Sequence, residues 1–431
     1  MVRVSLIRGS GDQVAGQTST LRALRAVALG VGLALTAAAC TATPPPAPVS
    51  SPPSATATAP SPTPTPTPTP SPTPTVGALP PGTTMGAVFG DPWSSKRSRQ
   101  DAVINSAIRI IDDTPKGETL MVSIFNMTYP GFDKTLIRAH QRGVKVRVLV
   151  NHEKSERRRY DALKRELGRN LDARSWFVIR GARVRMHSKF VLASRSGGAD
   201  HVVWMSSGNM TIASGRHQAN EALTITGDKE LYDFFAEQFD LMVAGVKDPN
   251  RLARRVVTPT ATVQTYPLPE GGQANDPVDA LLQDISCVVD GERTIVRMAQ
   301  LFFTDERRYL AERLRNLKAT GCDVRLVGHM SQWDKARSDL IRPGAGRIDV
   351  RSAHGAALHT KITTVDGWNA AGEPLKIAMV GSHNLSGRAL ARTPEGVNDE
   401  FSIVIAEPAT VDEYSAFVDD VIEHHSRPIS T

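Results

Sequence analysis

Two segments of this 431-residue chain carry the same polar series in the same order. The first reads VRMHSKFVLAS, then VVWMSSGNMT, then HQANEALTI; the second reads AALHTKITTVD, then IAMVGSHNLS, then VNDEFSIVI. Each presents His-x-Lys, an apolar run, Ser-x-Asn, and a Glu opening another β-rich run. The residues are His187, Lys189, Ser207, Asn209 and Glu221 in one copy, and His359, Lys361, Ser382, Asn384 and Glu400 in the other. Residues two apart in an extended segment share a face. Each copy therefore delivers an imidazole, an ammonium, a hydroxyl and an amide to one patch, and two such patches facing each other would surround a phosphate. A neutral imidazole can attack phosphorus or carry a proton. The ammonium, amide and hydroxyl groups would bind the non-bridging oxygens as charge builds on a pentavalent centre. A carboxylate at the far ring nitrogen would fix the imidazole tautomer, and which Glu serves which His is open.

His-x-Lys by itself is a weak signal, and His152-Glu153-Lys154 also matches it. That third instance runs into the charged pattern SERRRYDALKREL with no Ser-x-Asn behind it, so it reads as a solvated loop and helix start. The nearest metal-like cluster is Asp419, Asp420, Glu423, His424 and His425. Asp420 and His424 share a helix face opposite the apolar stripe Val411, Tyr414, Phe417, Val418, Val421 and Ile422. A solvated helix surface is the reading there, so no metal and no cofactor are expected.

The elements that must position these groups are also written twice, at an offset of about 170–180 residues. Each copy opens with a short strand (Ala87-Val88-Phe89; Ala261 to Gln264) and a helix (Ala102 to Ile111; Val278 to Val288). Apolar strands ending at Thr128 and Thr304 follow, then amphipathic helices Lys134 to Arg142 and Glu306 to Thr320 that stop at Gly143 and Gly321. Glycine is the expected residue just past a helix end. The β-rich runs VKVRVLV and CDVRLVG come next, and each copy closes with a helix, Lys229 to Ala244 and Val411 to His425. Strands alternating with helices predict an α/β fold: two similar βαβ-rich halves with mixed, largely parallel sheets flanked by helices, packed about a pseudo-twofold axis. The halves span 83–255 and 256–431, joined through the Pro249- and Pro259-punctuated stretch 245–260.

Residues 1–39 have the form of an export signal: four arginines, an apolar run from Ala26 to Ala39, and small residues before Cys40. The apolar run is too short to span a bilayer. Cys40 in that position resembles a lipobox cysteine, acylated to anchor the mature chain, against ordinary signal cleavage with Cys40 incidental. Residues 40–82 are then a proline- and threonine-rich spacer without charge. The arginines and Asp12 ahead of Cys40 take +3 of the formal +7 with them, leaving +4. That balance is too mild for a protein built to grip a long polyanion. Cys287 and Cys322 remain, as a disulfide or as two buried thiols.

Taken together, the paired series resembles the twin HKD motifs of the phospholipase D superfamily, over roughly residues 84–425. The second copy keeps the acidic position at Asp366 and the sequence Gly381-Ser382-His383-Asn384; the first has Ser194 for the acid and Ser206 for the glycine. The resemblance implies a metal-independent phosphodiesterase acting through a phosphohistidine, with His187 as nucleophile and His359 as acid, the reverse assignment being open. It implies phosphate-holding roles for Lys189, Lys361, Asn209 and Asn384. Phospholipid hydrolysis, with possible transfer to other alcohols, is the first expectation, at a membrane held through the lipid anchor. A secreted nuclease is the alternative, for which Arg157-Arg158-Arg159 with Lys164 and Arg165 would supply basic contacts. A non-catalytic surface binding protein is the third. Two fused halves remove the need for a dimer, so a monomer is expected.

Overall fold

The strand-forming runs are short, β-branched and apolar, and in the computed structural model they fall into two large sheets. The structure describes residues 77–151, 160–180, 184–394 and 396–429. The export segment, Cys40, nearly all of the spacer, His152-Glu153-Lys154 and Arg157-Arg158-Arg159 lie outside the described residues. Among the described residues no helix is long and apolar enough to cross a membrane.

The first half contributes β1 (Thr84–Phe89), β2 (Thr119–Ile124), β3 (Lys145–Val150), β4 (Trp176–Ile179), β5 (Arg185–Met186), β6 (Phe190–Ser196), β7 (Ala199–Ser206), β8 (Gln218–Ala219) and β9 (Glu221–Thr226). Its sheet runs in the order β1-β9-β7-β6-β2-β3-β4. The second half contributes β10 (Arg255–Val257), β11 (Thr262–Tyr266), the short β12 (Ile285–Ser286), β13 (Val288–Val289) and β14 (Glu292–Arg293), then β15 (Ile295–Gln300), β16 (Asp323–Gly328), β17 (Asp349–Ala353), β18 (Ala357–Leu358), β19 (Lys361–Asn369), β20 (Pro374–Gly381), β21 (Asn398–Ile405) and β22 (Ser426–Pro428). Its main path is β10-β11-β21-β20-β19-β15-β16-β17-β22.

Both sheets are mixed, but they are not largely parallel as the strand–helix alternation suggested. Along the main path of each sheet, parallel pairing is confined to β2-β3-β4 and β15-β16-β17. The reason lies after each His-x-Lys, where the chain returns by hairpins, β6 to β7 and β19 to β20. A tight turn produces antiparallel neighbours, whereas only a helical crossover produces parallel ones. Those crossovers use the helices Phe132–Gln141 and Tyr309–Ala319. Gly143 and Gly321 follow them with φ of 96° and 112°, the left-handed backbone that ends each helix. The opening helix of the second half is shorter than expected, Pro277–Gln283, because the chain turns into β12.

Among the described residues, three large apolar cores and a small cluster around Tyr266, Leu268 and Leu390 hold the fold. Each half has an outer core under its own helices, the first around Ile104, Phe132, Val148 and Trp204, the second around Leu310, Leu314, Trp333 and Ile377. The third joins the halves: Phe190, Phe235 and Phe239 meet Phe401, Ile403 and Tyr414 between the inner sheet faces. The closing helices Lys229–Val243 and Pro408–His424 both pack into this shared layer. Cys287 and Cys322 form a disulfide in the second half.

Two short strand pairs also cross between halves. β5, directly before the first His-x-Lys, pairs in parallel with the start of β21, and β18, directly before the second, pairs in parallel with β8. Each His-x-Lys is thereby docked on the segment that leads into the other half's acidic strand.

Candidate active site

The exchanged strands decide which side chains meet. His187 N–H donates to Asp399 O at 3.0 Å, and His359 N–H donates to Ala219 O at 2.9 Å. The side chain facing each imidazole belongs to the residue after that carbonyl. For His187 this is Glu400, whose carboxylate lies 2.8–2.9 Å from Nδ1. For His359 it is Asn220, whose Oδ1 lies 2.9 Å from Nδ1. Strand pairing places the same two residues in equivalent positions. Ser206 pairs with Ala222 across β7–β9, and Gly381 pairs with Ser402 across β20–β21. The counterpart of Glu400 is therefore Asn220, and the counterpart of Glu221 is Phe401.

This corrects the expectation that Glu221 and Glu400 are matched partners of the two histidines. Glu221 is no histidine partner. It accepts from Ser207 Oγ at 2.6 Å and from Lys361 N–H at 3.4 Å, inside the core between the halves. Asn220 is the group that spacing missed. The separation from Ser-x-Asn to Glu differs between copies, Asn209 to Glu221 against Asn384 to Glu400, so an unaligned Glu offered no sign that the register differs by one residue.

The hydrogen bonds also fix the tautomers. Asn220 Nδ2 donates to Ser214 O at 2.9 Å and Gln218 O at 3.1 Å, which turns its oxygen toward the ring. The proton on His359 then sits at Nδ1, and Nε2 is the basic nitrogen. On the other ring the Glu400 carboxylate can only accept, so His187 likewise carries its proton at Nδ1. Glu400 is itself held by Ser382 Oγ at 2.6 Å and Asn398 Nδ2 at 2.9 Å.

His187 and His359 are 9% and 7% exposed. Lys189, Lys361, Asn384, Glu221 and Glu400 are buried, and Asn209 is half-buried. Ser207 and Ser382 are fully buried and spend their hydroxyls on Glu221 and Glu400, so they lie beneath the patch as supports rather than lining it. The lysine ammoniums fold back onto their own motif: Lys189 donates to His187 O, and Lys361 to His359 O at 2.5 Å, with its Nζ 3.2 Å from the protonated His359 Nδ1, a close approach that is not a hydrogen bond. The amide oxygens of Asn209 and Asn384 are buried without a hydrogen-bond partner among the described residues. These amides are not consumed by the fold, and rotation would turn their donors toward an oxyanion.

Electrostatics tie the halves into one centre. Burial pushes His187 down to about 4, with Lys189 and Lys361 acting the same way and Glu400 opposing them. His359 is lowered well below its ordinary value by burial, then by Lys361, Lys189 and His187. Both rings are neutral at pH 7, as a nucleophile must be, and each feels both lysines. Burial raises Glu400, but His187, Lys189 and the Ser382 hydroxyl outweigh it, so the carboxylate stays ionised below its usual range. Glu221 is raised and Lys361 lowered by burial, each partly offset by the other.

A buried clamp stands behind the Glu400 side. Arg180 Nε and Nη2 bond the Asp399 carboxylate at 2.5 and 3.1 Å, and its other donors reach Met242 O and Val246 O at 2.5 and 2.6 Å. Asp399 in turn accepts from His187 N–H and from Ser188 Oγ at 3.2 Å. On the other side, Arg307 is held by Asp276 at 2.6–2.7 Å and donates to Asn384 O at 3.0 Å. Among the described residues no His/Cys/Asp/Glu group could hold a metal ion, and His424 simply pairs with Asp420 at 3.0 Å on an exposed helix face.

Comparisons with known proteins cover both halves of the chain. A family model described as cardiolipin synthase, PLD-like domain, matches residues 108–243 and 291–421, more than half of the chain, and each stretch holds one His-x-Lys series. Among solved structures, phosphatidylserine synthase from Haemophilus influenzae Rd KW20 is 13% identical over 80% of this chain and 87% of its own, with a TM-score of 0.55. Polyphosphate kinase from Porphyromonas gingivalis is 14% identical over 79% of this chain, with a TM-score of 0.51; the chain spans 50% of that protein's length. At such identities the likeness is one of fold. No curated protein matches the chain in sequence.

Proposed function

The chain belongs to the phospholipase D superfamily, in the family described as cardiolipin synthase, PLD-like domain, and on that premise we propose that it is an exported phosphodiesterase hydrolysing phospholipids through a phosphohistidine. The observation that carries the reading is the pair of neutral imidazoles, one from each half, set among two lysines and two asparagines with Nδ1 anchored and Nε2 basic.

The unequal anchors support distinct roles. In the first step His187 Nε2 attacks phosphorus, a P–N bond forms, and the P–O bond to the leaving alcohol breaks. His359, neutral at rest, takes a proton from solvent at Nε2 and gives it to the departing oxygen. In the second step water attacks phosphorus, passes a proton to His359 Nε2, and releases the phosphomonoester as the P–N bond breaks. Phosphorylation places positive charge on His187, which the Glu400 carboxylate stabilises. An imidazolium beside a neutral Asn220 amide is a stronger acid than one beside a carboxylate, which suits proton donation by His359. Lys189, Lys361, Asn209 and Asn384 would bind the non-bridging oxygens. An alcohol in place of water would yield transfer instead of hydrolysis.

The lipid substrate and the export reading rest on the sequence: the apolar run before Cys40, the uncharged proline spacer and the mild net charge. A Cys40 anchor would hold the site within reach of a membrane surface. The test is head-group release from phosphatidylcholine and phosphatidylethanolamine vesicles by wild type, His187→Ala and His359→Ala, with phosphohistidine trapped on the His187 peptide. Release that persists in His187→Ala refutes the mechanism. Plasmid cutting without head-group release would replace the lipid reading with a nuclease.

A further inference from the structure

We propose that Arg185 and Phe125 form a subsite for a second anionic group of the substrate, a carboxylate or phosphate oxyanion in the head group beside the scissile diester. The substrate part of this proposal rests on the phosphodiesterase reading above.

Arg185 stands two residues before His187 on β5, with Met186 between them turned into the shared core. In an extended segment this puts Arg185 and His187 on the same side. Phe125, just past the end of β2, is the wall between them. Its ring meets the His187 ring edge-on at 5.1 Å between centroids. The Arg185 guanidinium carbon lies 4.8 Å from the Phe125 centroid, and Lys189 Nζ lies 5.2 Å from it. Arg185 is exposed, and among the described residues its guanidinium makes no hydrogen bond and no ion pair. The arginines buried nearby, Arg180 and Arg307, are both taken up by carboxylates. Stacking on an aromatic face holds a guanidinium in place while leaving its N–H edge available.

The opposite wall is different. β2 and β15 share a register, since Thr119 pairs with Lys145 and Ile295 with Asp323, each two residues beyond the helix-ending glycine. The counterpart of Phe125 is therefore Leu301, and the counterpart of Arg185, two residues before the second His-x-Lys, is Ala357. One wall offers a free cation on an aromatic ring and the other offers aliphatic carbon. The single negative charge of a diester is already met by Lys189 and Lys361, one from each half. A third cation on one side only is matched to a substituent, and the planar fork of arginine suits a carboxylate or phosphate.

The test uses calorimetric titration of glycerophosphoserine and glycerophosphocholine, together with turnover of phosphatidylserine and phosphatidylcholine in uncharged mixed micelles. Wild type should favour the serine compounds. Arg185→Gln should weaken glycerophosphoserine by about tenfold, the scale of one charge-assisted contact, and change glycerophosphocholine by less than about twofold. Arg185→Lys should recover part of the loss, and Phe125→Leu, which copies the opposite wall, should lower the same selectivity. Equal losses on both ligands, or none, overturn the subsite. Binding selectivity that survives while wild type turns over neither lipid leaves the subsite standing and sinks the hydrolytic reading.

Discussion

Glu400→Gln isolates the charge behind the proposed nucleophile with little change of shape. Glu400 makes four contacts: His187 Nδ1 at 2.8–2.9 Å, Ser382 Oγ at 2.6 Å and Asn398 Nδ2 at 2.9 Å, the imidazole touching both oxygens. In the variant the retained oxygen can still accept from His187 and Ser382. The new amide nitrogen would face Asn398, whose own Oδ1 is buried without a partner among the described residues and can turn to accept it. The fold should therefore survive. What disappears is the attraction between a carboxylate and the charge that develops on His187 during phosphorylation. A unit pair about 4 Å apart at an effective dielectric near 20 is worth about 4 kcal/mol, and the remaining hydrogen bond recovers part of it. A net loss of about 2–4 kcal/mol corresponds to roughly 30- to 1000-fold in rate. The assay is steady-state head-group release plus rapid-quench measurement of phosphohistidine formation, with thermal melting as a control. Glu400 also holds the His187 pKa up, and His187 stands at about 4. Its protonated form cannot attack, so wild-type kcat/KM should fall below about pH 4, and Glu400→Gln should move that acid limb further down. A variant within about threefold of wild type, or an acid limb that moves upward, refutes the role of Glu400.

Glu221 favours the charged form of Lys361, so Glu221→Gln should let Lys361 lose its proton at lower pH and shift the alkaline decline of kcat/KM toward neutrality; a pH profile identical to wild type rejects the coupling. Arg180→Met leaves the buried Asp399 carboxylate without its partner, and breaking one side of a buried pair costs about 3–5 kcal/mol. Urea denaturation should show that loss, lessened where Asp399 protonates, because burial has already raised its pKa to about 6. Replacing Cys287 and Cys322 together by serine opens a link across a sequence separation of 35 residues, for an expected destabilisation of about 2–4 kcal/mol, checked by the denaturation midpoint with and without reductant.

Much of this protein was readable from local pattern. The period of the apolar residues marked the strands and helices, the glycines at 143 and 321 marked where helices stop, and two copies of one polar series marked the chemistry. These features depend on neighbours along the chain, which a sequence displays directly. Strand direction was less legible, because antiparallel pairs, among them the hairpin return after each His-x-Lys, outnumber the parallel pairs along both sheets and nothing in the apolar period separates the two. The partners of the imidazoles were not legible at all. Glu400 reaches His187, and Asn220 rather than Glu221 reaches His359, because β5 and β18 dock across the boundary between the halves in a register set by backbone hydrogen bonds. Glu221 stands one residue past the position equivalent to Glu400. One residue along a strand turns a side chain to the opposite face, so an amide takes the place of the carboxylate at one ring and Glu221 enters the core at the position that Phe401 holds in the other half. That choice is made by pairing between segments more than a hundred residues apart, so only the assembled tertiary structure could decide it.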